Sequence, residues 1–339
     1  MQKFLQRFLP KRKQDQPFKQ ATIEDLYYCY RLLLQREPDE AGWNDWHKLV
    51  TSHNVSIQML VDGFLYSDEF KKLQEEAFKP RLIELDDFNI YIRQNDFFIG
   101  AVIANTKNYE PYVTDEVRRL LKPGMVFIDI GANIGYFAML SAALVGPSGK
   151  VYAFEPNPDN CRMIEKSIEA NGFENIQLFP NAVAEARQSF NLDVGGTNSN
   201  GRIIDFSPDA IPGQATPLLV EAVVLDEALP NLDRVDVIKL DIEGAEPRAW
   251  QGMQQIVSKF RPTLVFEFSP ELIPITSHVT AESFLDEIIS HQYDLYILER
   301  FKDKSRHPQT KQQILEAYAK SGLTHLDLVA ISPLSTPTQ

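Results

Sequence analysis

The sequence predicts an α/β protein: a doubly wound, mostly parallel sheet with an antiparallel last strand, preceded by a small all-helical domain. Three observations predict it. Residues 21–79 place apolar side chains at helical spacing, the apolar period drops to two from residue 82, and buried-type strands alternate with helices from residue 126 onward. Strand-helix alternation builds a sheet with helices on both faces.

In the first segment Thr22 is a candidate N-cap with Asp25 three residues on, and Leu26, Tyr30, Leu33 and Leu34 then share one face. Pro38-Asp39-Glu40 opens a second helix running to about His53, Ser56 caps a third ending near Gly63, and Ser67-Asp68-Glu69 starts a fourth. Trp43, Trp46 and His47 lie on one face of the second helix, where packing is the usual role, and His47 has no partner ligand nearby in sequence. The expected boundaries are a basic tail over 1–20, the helical module over 21–79 and a second domain over 80–335.

Leu82 to Asp86 and Phe88 to Ile92 alternate and predict a hairpin. A helix over Val113–Leu121 stops at Lys-Pro-Gly124. Strands are then expected at Val126–Ile130, Lys150–Glu155, Ile176–Phe179, Val235–Leu240 and Thr263–Phe268, with helices near 135–145, 158–171 and 246–258. A helix at 280–291, a strand Tyr293–Glu299, a helix at 308–321 and a strand His325–Ile331 finish the sheet as an antiparallel pair. Between them, 188–226 holds strand-like pieces around a polar loop ending at Gly201, a composition typical of active-site lids.

Composition narrows the function. The chain has 339 residues, 44% of them hydrophobic, which is enough for two domains with ordinary cores. Its net charge of −13 repels phosphate backbones, so nucleic acid is not an expected partner, and a neutral or cationic small substrate fits better. Cys29 and Cys161 stand far apart outside any C-x-x-C spacing, which argues against a disulfide framework or a cysteine zinc site and for a reducing, cytoplasmic setting. No apolar run reaches the roughly 18 residues a membrane-spanning helix needs. Charges interrupt the apolar part of residues 1–20, against a signal peptide, while Lys3, Arg7 and Lys11 beside Phe4, Leu5 and Phe8 leave room for a weak peripheral membrane contact.

Four segments carry chemistry. Phe127-Ile-Asp-Ile130 followed by Gly131-Ala-Asn-Ile-Gly135 is a strand, a turn and a helix start; the glycines are expected to admit a ligand close to the backbone, and the helix N-terminus to offer unpaired N–H groups to a carboxylate. The pattern G-x-G-x-x-G would need glycine at Asn133 and Tyr136, which disfavours a dinucleotide oxidoreductase, and no Walker-type phosphate loop occurs. Glu155, 20 residues beyond Gly135, ends the second strand, where an acid can accept both hydroxyls of a ribose. Asn181 ends the third strand, with an amide placed to meet an adenine edge. Asp241 and Glu243 end the fourth; they are read as orienting a ligand, as a base, as metal ligands or as caps of the helix that follows.

Asp129-Ile-Gly-Ala-Asn-Ile-Gly135, Phe154-Glu-Pro-Asn157 and Ile238-Lys-Leu-Asp-Ile-Glu-Gly-Ala-Glu246, in this order, resemble the FkbM family of methyltransferases over roughly residues 82–270. Tyr109-Glu110-Pro111 resembles the segment that leads into that family's first strand. The resemblance implies a Rossmann-like methyltransferase domain, S-adenosylmethionine as cofactor and O-methylation of natural products or sugars. It implies cofactor contacts at Asp129, Gly131, Asn133, Gly135, Glu155, Asn181 and Asp241, with Glu110, Ile134, Tyr136, Pro156, Asn157 and Ala182 beside them. The family often shows an acid followed two residues later by histidine after the fifth strand; here Glu267-Phe-Ser269 puts serine there. Asp241, Glu243 and Glu267 are the expected catalytic residues, Asp241 positioning the cofactor and Glu243 or Glu267 orienting or deprotonating the acceptor, with His278 a further candidate base. No resident metal is expected.

The helical module resembles a domain of unknown function that accompanies many bacterial enzymes and secreted proteins, through Tyr30-Arg-Leu-Leu-Leu-Gln-Arg-Glu-Pro-Asp39. It reads as a docking unit for a protein partner. The expected activity is O-methyl transfer to a small-molecule or glycan hydroxyl; the alternative is a catalytically silent methyltransferase-like scaffold.

Overall fold

A computed structural model describes residues 20–93, 96, 98–194, 201–204, 217–298 and 307–334. The basic tail before Gln20, with the membrane contact expected of it, and most of the polar loop before Gly201 lie outside the described residues. The chain divides into two compact units after Lys79.

The first unit is helical. Thr22 and Asp25 form a reciprocal cap at the start of Ile23–Tyr28, which runs on as a π-helical turn over Cys29–Leu33. Asp39, Ser56 and Ser67 each accept a backbone N–H at the start of Glu40–Ser52, Ile57–Leu65 and Asp68–Phe78. Leu26, Tyr30, Leu34, Leu60 and Phe64 form the core, with Trp43 and Trp46 packed against it. Arg36 grips both oxygens of Glu69 and reaches Asp39 at 2.9 Å, while its guanidinium lies 5.1 Å over the Tyr30 ring. One cation thus ties the first helical segment to the second and fourth helices.

The second unit opens with an antiparallel hairpin, β1 (Pro80–Glu84) and β2 (Asn89–Arg93). Helix Pro111–Leu120 leads to the main sheet, built from β3 (Val126–Ile130), β4 (Lys150–Phe154), β5 (Ile176–Phe179), then, after an insertion, β10 (Val237–Leu240), β11 (Thr263–Phe268), β12 (Asp294–Ile297) and β13 (Leu326–Ile331). Its order is β12-β13-β11-β10-β3-β4-β5. Six strands share one direction, and β13 alone in this sheet runs against them, between β11 and β12. Alternation along each strand feeds two cores: Ile128, Ile130, Ile238, Leu240, Leu264 and Phe266 face one, Phe127, Val237 and Val265 the other. Four shorter strands, β6 (Ala182–Val183), β7 (Gln188–Asp193), β8 (Arg202–Ile204) and β9 (Leu218–Val223), form a second sheet in the order β6-β9-β7-β8, so the strand-like pieces of 188–226 are an inserted sheet.

The helix expected over 246–258 is two pieces, Glu246–Gln251 and Gln254–Phe260, broken at Gly252-Met253. The second piece has a remote cap: both Asp226 oxygens accept from Gln255 and Ile256 N–H at 2.9 Å. The two glycines of the first turn also have neighbouring protein close by. A side-chain carbon on Gly131, whose φ is +84°, would stand 2.0 Å from the Asp241 carbonyl oxygen, and one on Gly135 would stand 2.9 Å from Ile164. They let neighbouring protein, the loop after β10 and helix Pro158–Asn171, pack close to the backbone.

Trp250 is 1% exposed in the larger core, with its ring edge-on to Tyr293. Trp250→Ala is expected to cost about 3–5 kcal/mol in urea unfolding, and a loss below about 1 kcal/mol contradicts this packing. Gly131→Ala is expected to cost about 1–3 kcal/mol from backbone conformation alone, with the clash adding to it; wild-type stability in that variant contradicts the close approach.

Candidate active site

The sheet locates the site before any side chain does. From β3 the chain steps outward through β4 to β5, then returns to β10 on the other side of β3 and steps away through β11. The reversal opens a crevice at the carboxyl ends of β3 and β10, the usual ligand position in such sheets. A cavity of about 450 Å³ lies there.

Glu110, Gly131, Asn133, Ile134, Tyr136, Glu155, Pro156, Asn181, Ala182, Asp241, Glu243 and Glu267 all line it. The inserted sheet contributes Leu192, Gly201 and Ile203. Three expected contacts stand outside the lining. Asp129 is fully buried, paired in register with Lys239 across β3 and β10. Gly135 packs on Ile164, and the Asn157 side chain accepts the Asp159 N–H at 2.9 Å as the cap of Pro158–Asn171. His278 closes the short helix Ile273–Ser277 and is not in the lining either.

The turn after β3 is a self-paired scaffold. Gly131 and Ala132 N–H donate to the Phe154 carbonyl, Asn133 N–H to Glu155 Oε2 at 2.8 Å, Ile134 N–H to the Asn133 side chain, and Gly135 N–H to the Ala132 carbonyl. Each N–H from Gly131 to Gly135 thus has a partner within the protein. Glu155 also accepts from Asn157 N–H at 2.9 Å and Asn160 Nδ2 at 3.2 Å on its other oxygen. These bonds fix the carboxyl at the cavity wall and leave acceptor capacity on Oε2. Burial pushes the Glu155 carboxyl up to about 7, against the pull of those N–H donors.

The opposite end is acidic around one buried cation. Lys239 is 4% exposed; its ammonium donates to Asp241 Oδ2 at 2.7 Å and lies 4.6 Å over the Phe137 ring. Burial pulls its pKa down, but Asp241, Glu110 and Asp129 outweigh that and raise it. Burial, reinforced by Asp241, pushes Glu110 up to about 8. Burial raises Glu267 to about 10, with Asp241, Glu243 and Glu246 adding to it, and raises Glu243 as well. Glu246 plays the capping part weighed for its neighbours, accepting the Ile242 N–H at 2.9 Å. Ser277 and Thr276 hold the Gly244 and Glu243 carbonyls at 2.7 and 3.3 Å, so the loop carrying Asp241 and Glu243 is braced from behind. Glu110, Asn133 and Glu243 all adopt positive φ, 41°, 53° and 54°, a strained state for non-glycine residues that collects at functional sites.

Lys239 and His325 are among the lining residues that escaped the sequence analysis. Lys239 had a signal: a lone charge inside the apolar run Val237–Leu240 can only be buried among acids. His325 had none locally. It arrives from the start of β13, its Nδ1 3.5 Å from Glu267 Oε2. Among the described residues, no group of three or more His, Cys, Asp or Glu is arranged to hold a metal ion.

Residues 129–293 match the family model described as Methyltransferase FkbM domain, and residues 20–74 match a Domain of unknown function (DUF4214). Curated relatives include a probable cobalt-precorrin-6B C(15)-methyltransferase (decarboxylating) of Sulfolobus acidocaldarius, 25% identical over 42% of this chain and 80% of that protein. Another is hexuronic acid methyltransferase AglP of Haloferax volcanii, 28% identical over 41% of this chain and 55% of that protein. A third is 31-O-demethyl-FK506 methyltransferase FkbM of Streptomyces tacrolimicus, 26% identical over 40% of this chain and 61% of that protein. The chain thus spans less than two thirds of the last two. Within its second unit the chain carries a stretch that matches the FkbM methyltransferase domain, and within its first one that matches DUF4214.

Proposed function

We propose that the second unit is an S-adenosylmethionine-dependent O-methyltransferase acting on a hydroxyl of a sugar, polysaccharide or natural product. The observation that carries this reading is the division of the cavity at the strand reversal, with a fixed carboxyl, Glu155, at one end and Asp241, Glu243 and Glu267 at the other. The donor set fits the cofactor. Glu155 has acceptor capacity for ribose hydroxyls, Phe154, Pro156, Ala182 and Val183 give the adenine an apolar slot, and Asn181 offers an amide at its edge. The Asn181 Nδ2 already donates to the Glu221 carbonyl at 3.3 Å, which leaves its oxygen to accept from an exocyclic amine. The acidic end around Asp241 and Glu110 suits an ammonium and a sulfonium, both cations.

When bound, the cofactor supplies an electrophilic methyl group on a positively charged sulfur. The work of this chain is placement, since an in-line displacement depends on holding the acceptor oxygen against that carbon. Asp241, held by Lys239 at 2.7 Å, is assigned to position the cofactor. Glu243 and Glu267, at the same end of the cavity, are assigned to orient the acceptor. The relatives named for hexuronic acid and for 31-O-demethyl-FK506 support an oxygen acceptor on a glycan or natural product.

Isothermal titration tests the first half of the reading. Glu155→Gln is expected to weaken S-adenosylmethionine binding about 10- to 100-fold, the loss of charged hydrogen bonds worth about 1.5–3 kcal/mol. Absence of binding by the wild-type protein at millimolar cofactor favours the silent scaffold. For the second half, Glu243→Gln and Glu267→Gln, each shown to bind cofactor normally, are expected to lose at least about tenfold in turnover. Full turnover in both removes the acceptor-orienting assignment.

A further inference from the structure

We infer that His325 is the general base that takes the proton from the acceptor hydroxyl, held for that task by Glu267 and Thr324. The inference rests on the methyl-transfer reading above and adds the proton's destination.

Among the described residues His325 is the only histidine lining the cavity. Its place follows from strand direction. β13 runs antiparallel to β11, with Phe268 opposite Leu326 as the last pair at that end. One step further, His325 faces Ser269 at the carboxyl ends of the parallel strands, where the cavity opens. The ring is oriented from one side: Nδ1 lies 3.5 Å from Glu267 Oε2 and 3.2 Å from Thr324 Oγ1. Glu267 is itself held, its other oxygen accepting the Ser269 hydroxyl. With Nδ1 turned to the Glu267 carboxyl, ionisation of that carboxyl places the neutral ring's proton on Nδ1 and leaves Nε2 its lone pair for the acceptor proton.

The other charged groups around the ring are consistent with this role. Glu243, after β10, senses His325, and Arg202 of β8 acts on that same carboxyl. A cationic sulfonium in the cavity and a proton gained by His325 both favour the carboxylate form of Glu267, so base and carboxylate reinforce each other as the reaction proceeds. In the balanced step the acceptor O–H bond breaks and its proton moves to Nε2. The acceptor oxygen forms a bond to the methyl carbon as the carbon–sulfur bond breaks, and the electron pair of that bond stays on sulfur, leaving a neutral thioether. The proton later leaves His325 for water. Glu267 acts through the ring as a positioning residue.

The test uses the full chain, tritium-methyl S-adenosylmethionine and, as acceptor source, envelope extract from cells lacking the gene. His325→Ala and His325→Gln are expected to bind the cofactor within about threefold of wild type by titration and to transfer label about 10²- to 10⁴-fold more slowly. Added imidazole is expected to recover part of the His325→Ala rate, which a merely structural loss does not allow. In nitrogen-15 histidine spectra of the protein saturated with S-adenosylmethionine, neutral His325 is expected as the Nδ1–H tautomer. Wild-type transfer rates in both variants, or an Nε2–H tautomer, overturn the inference while leaving the methyltransferase reading in place. No label transfer by the wild-type protein overturns that reading, and this inference with it.

Discussion

The buried ammonium of Lys239 is the interaction on which the second unit's site depends. It sits in the central sheet, one strand from Asp129, bonded to Asp241 and close enough to Glu110 to raise its own pKa against burial. Without a cation there, three carboxyls would face each other in a region almost cut off from water, and each would protonate or separate. A buried ion cluster of this kind adds little net stability. What it gives is geometry, because the carboxylate of Asp241 is fixed at the strand reversal where the cavity opens.

Much of the fold was legible because its signals are local. Caps at Thr22, Asp39, Ser56 and Ser67 mark helix starts in the sequence and stand at helix starts in the structure. The parallel strands could be read from short apolar runs bounded by turn residues, since a strand covered on both faces has no polar side to show. The break at Gly252 was not legible, because the helix beyond it is capped by Asp226 from 29 residues away. The inserted sheet showed its strands but not their pairing, which joins β6 to β9 across an excursion through β7 and β8.

The site divides in the same way. Glu155, Asn181, Asp241 and Glu243 follow directly after strands, so strand-end position alone predicted that they would converge. The turn glycines announce a need for close approach, but the protein segments that pack on them, the loop after β10 and helix Pro158–Asn171, are distant in sequence and could not be read. His325 was invisible for a different reason. Antiparallel pairing brings the start of β13 to the end of β11, so a residue 58 positions beyond Glu267 becomes its neighbour. In the helical unit, Arg36 and Asp39 belong to the phrase that marks the domain, and their ties to Glu69 and to each other identify that phrase as a structural clasp.

The raised carboxyls have a consequence for energetics of occupancy. Glu110 and Glu267, pushed up to about 8 and 10 by burial, keep protons at neutral pH that exposed carboxyls would have shed, and Glu155, at about 7, keeps part of its own. The cavity is therefore a proton store. A cation entering it lowers those values and discharges protons to solvent, so part of the binding free energy is set by the pH. Affinity for a cationic ligand then rises with pH across the neutral range, and the heat of binding carries the ionisation enthalpy of whatever buffer takes up the protons.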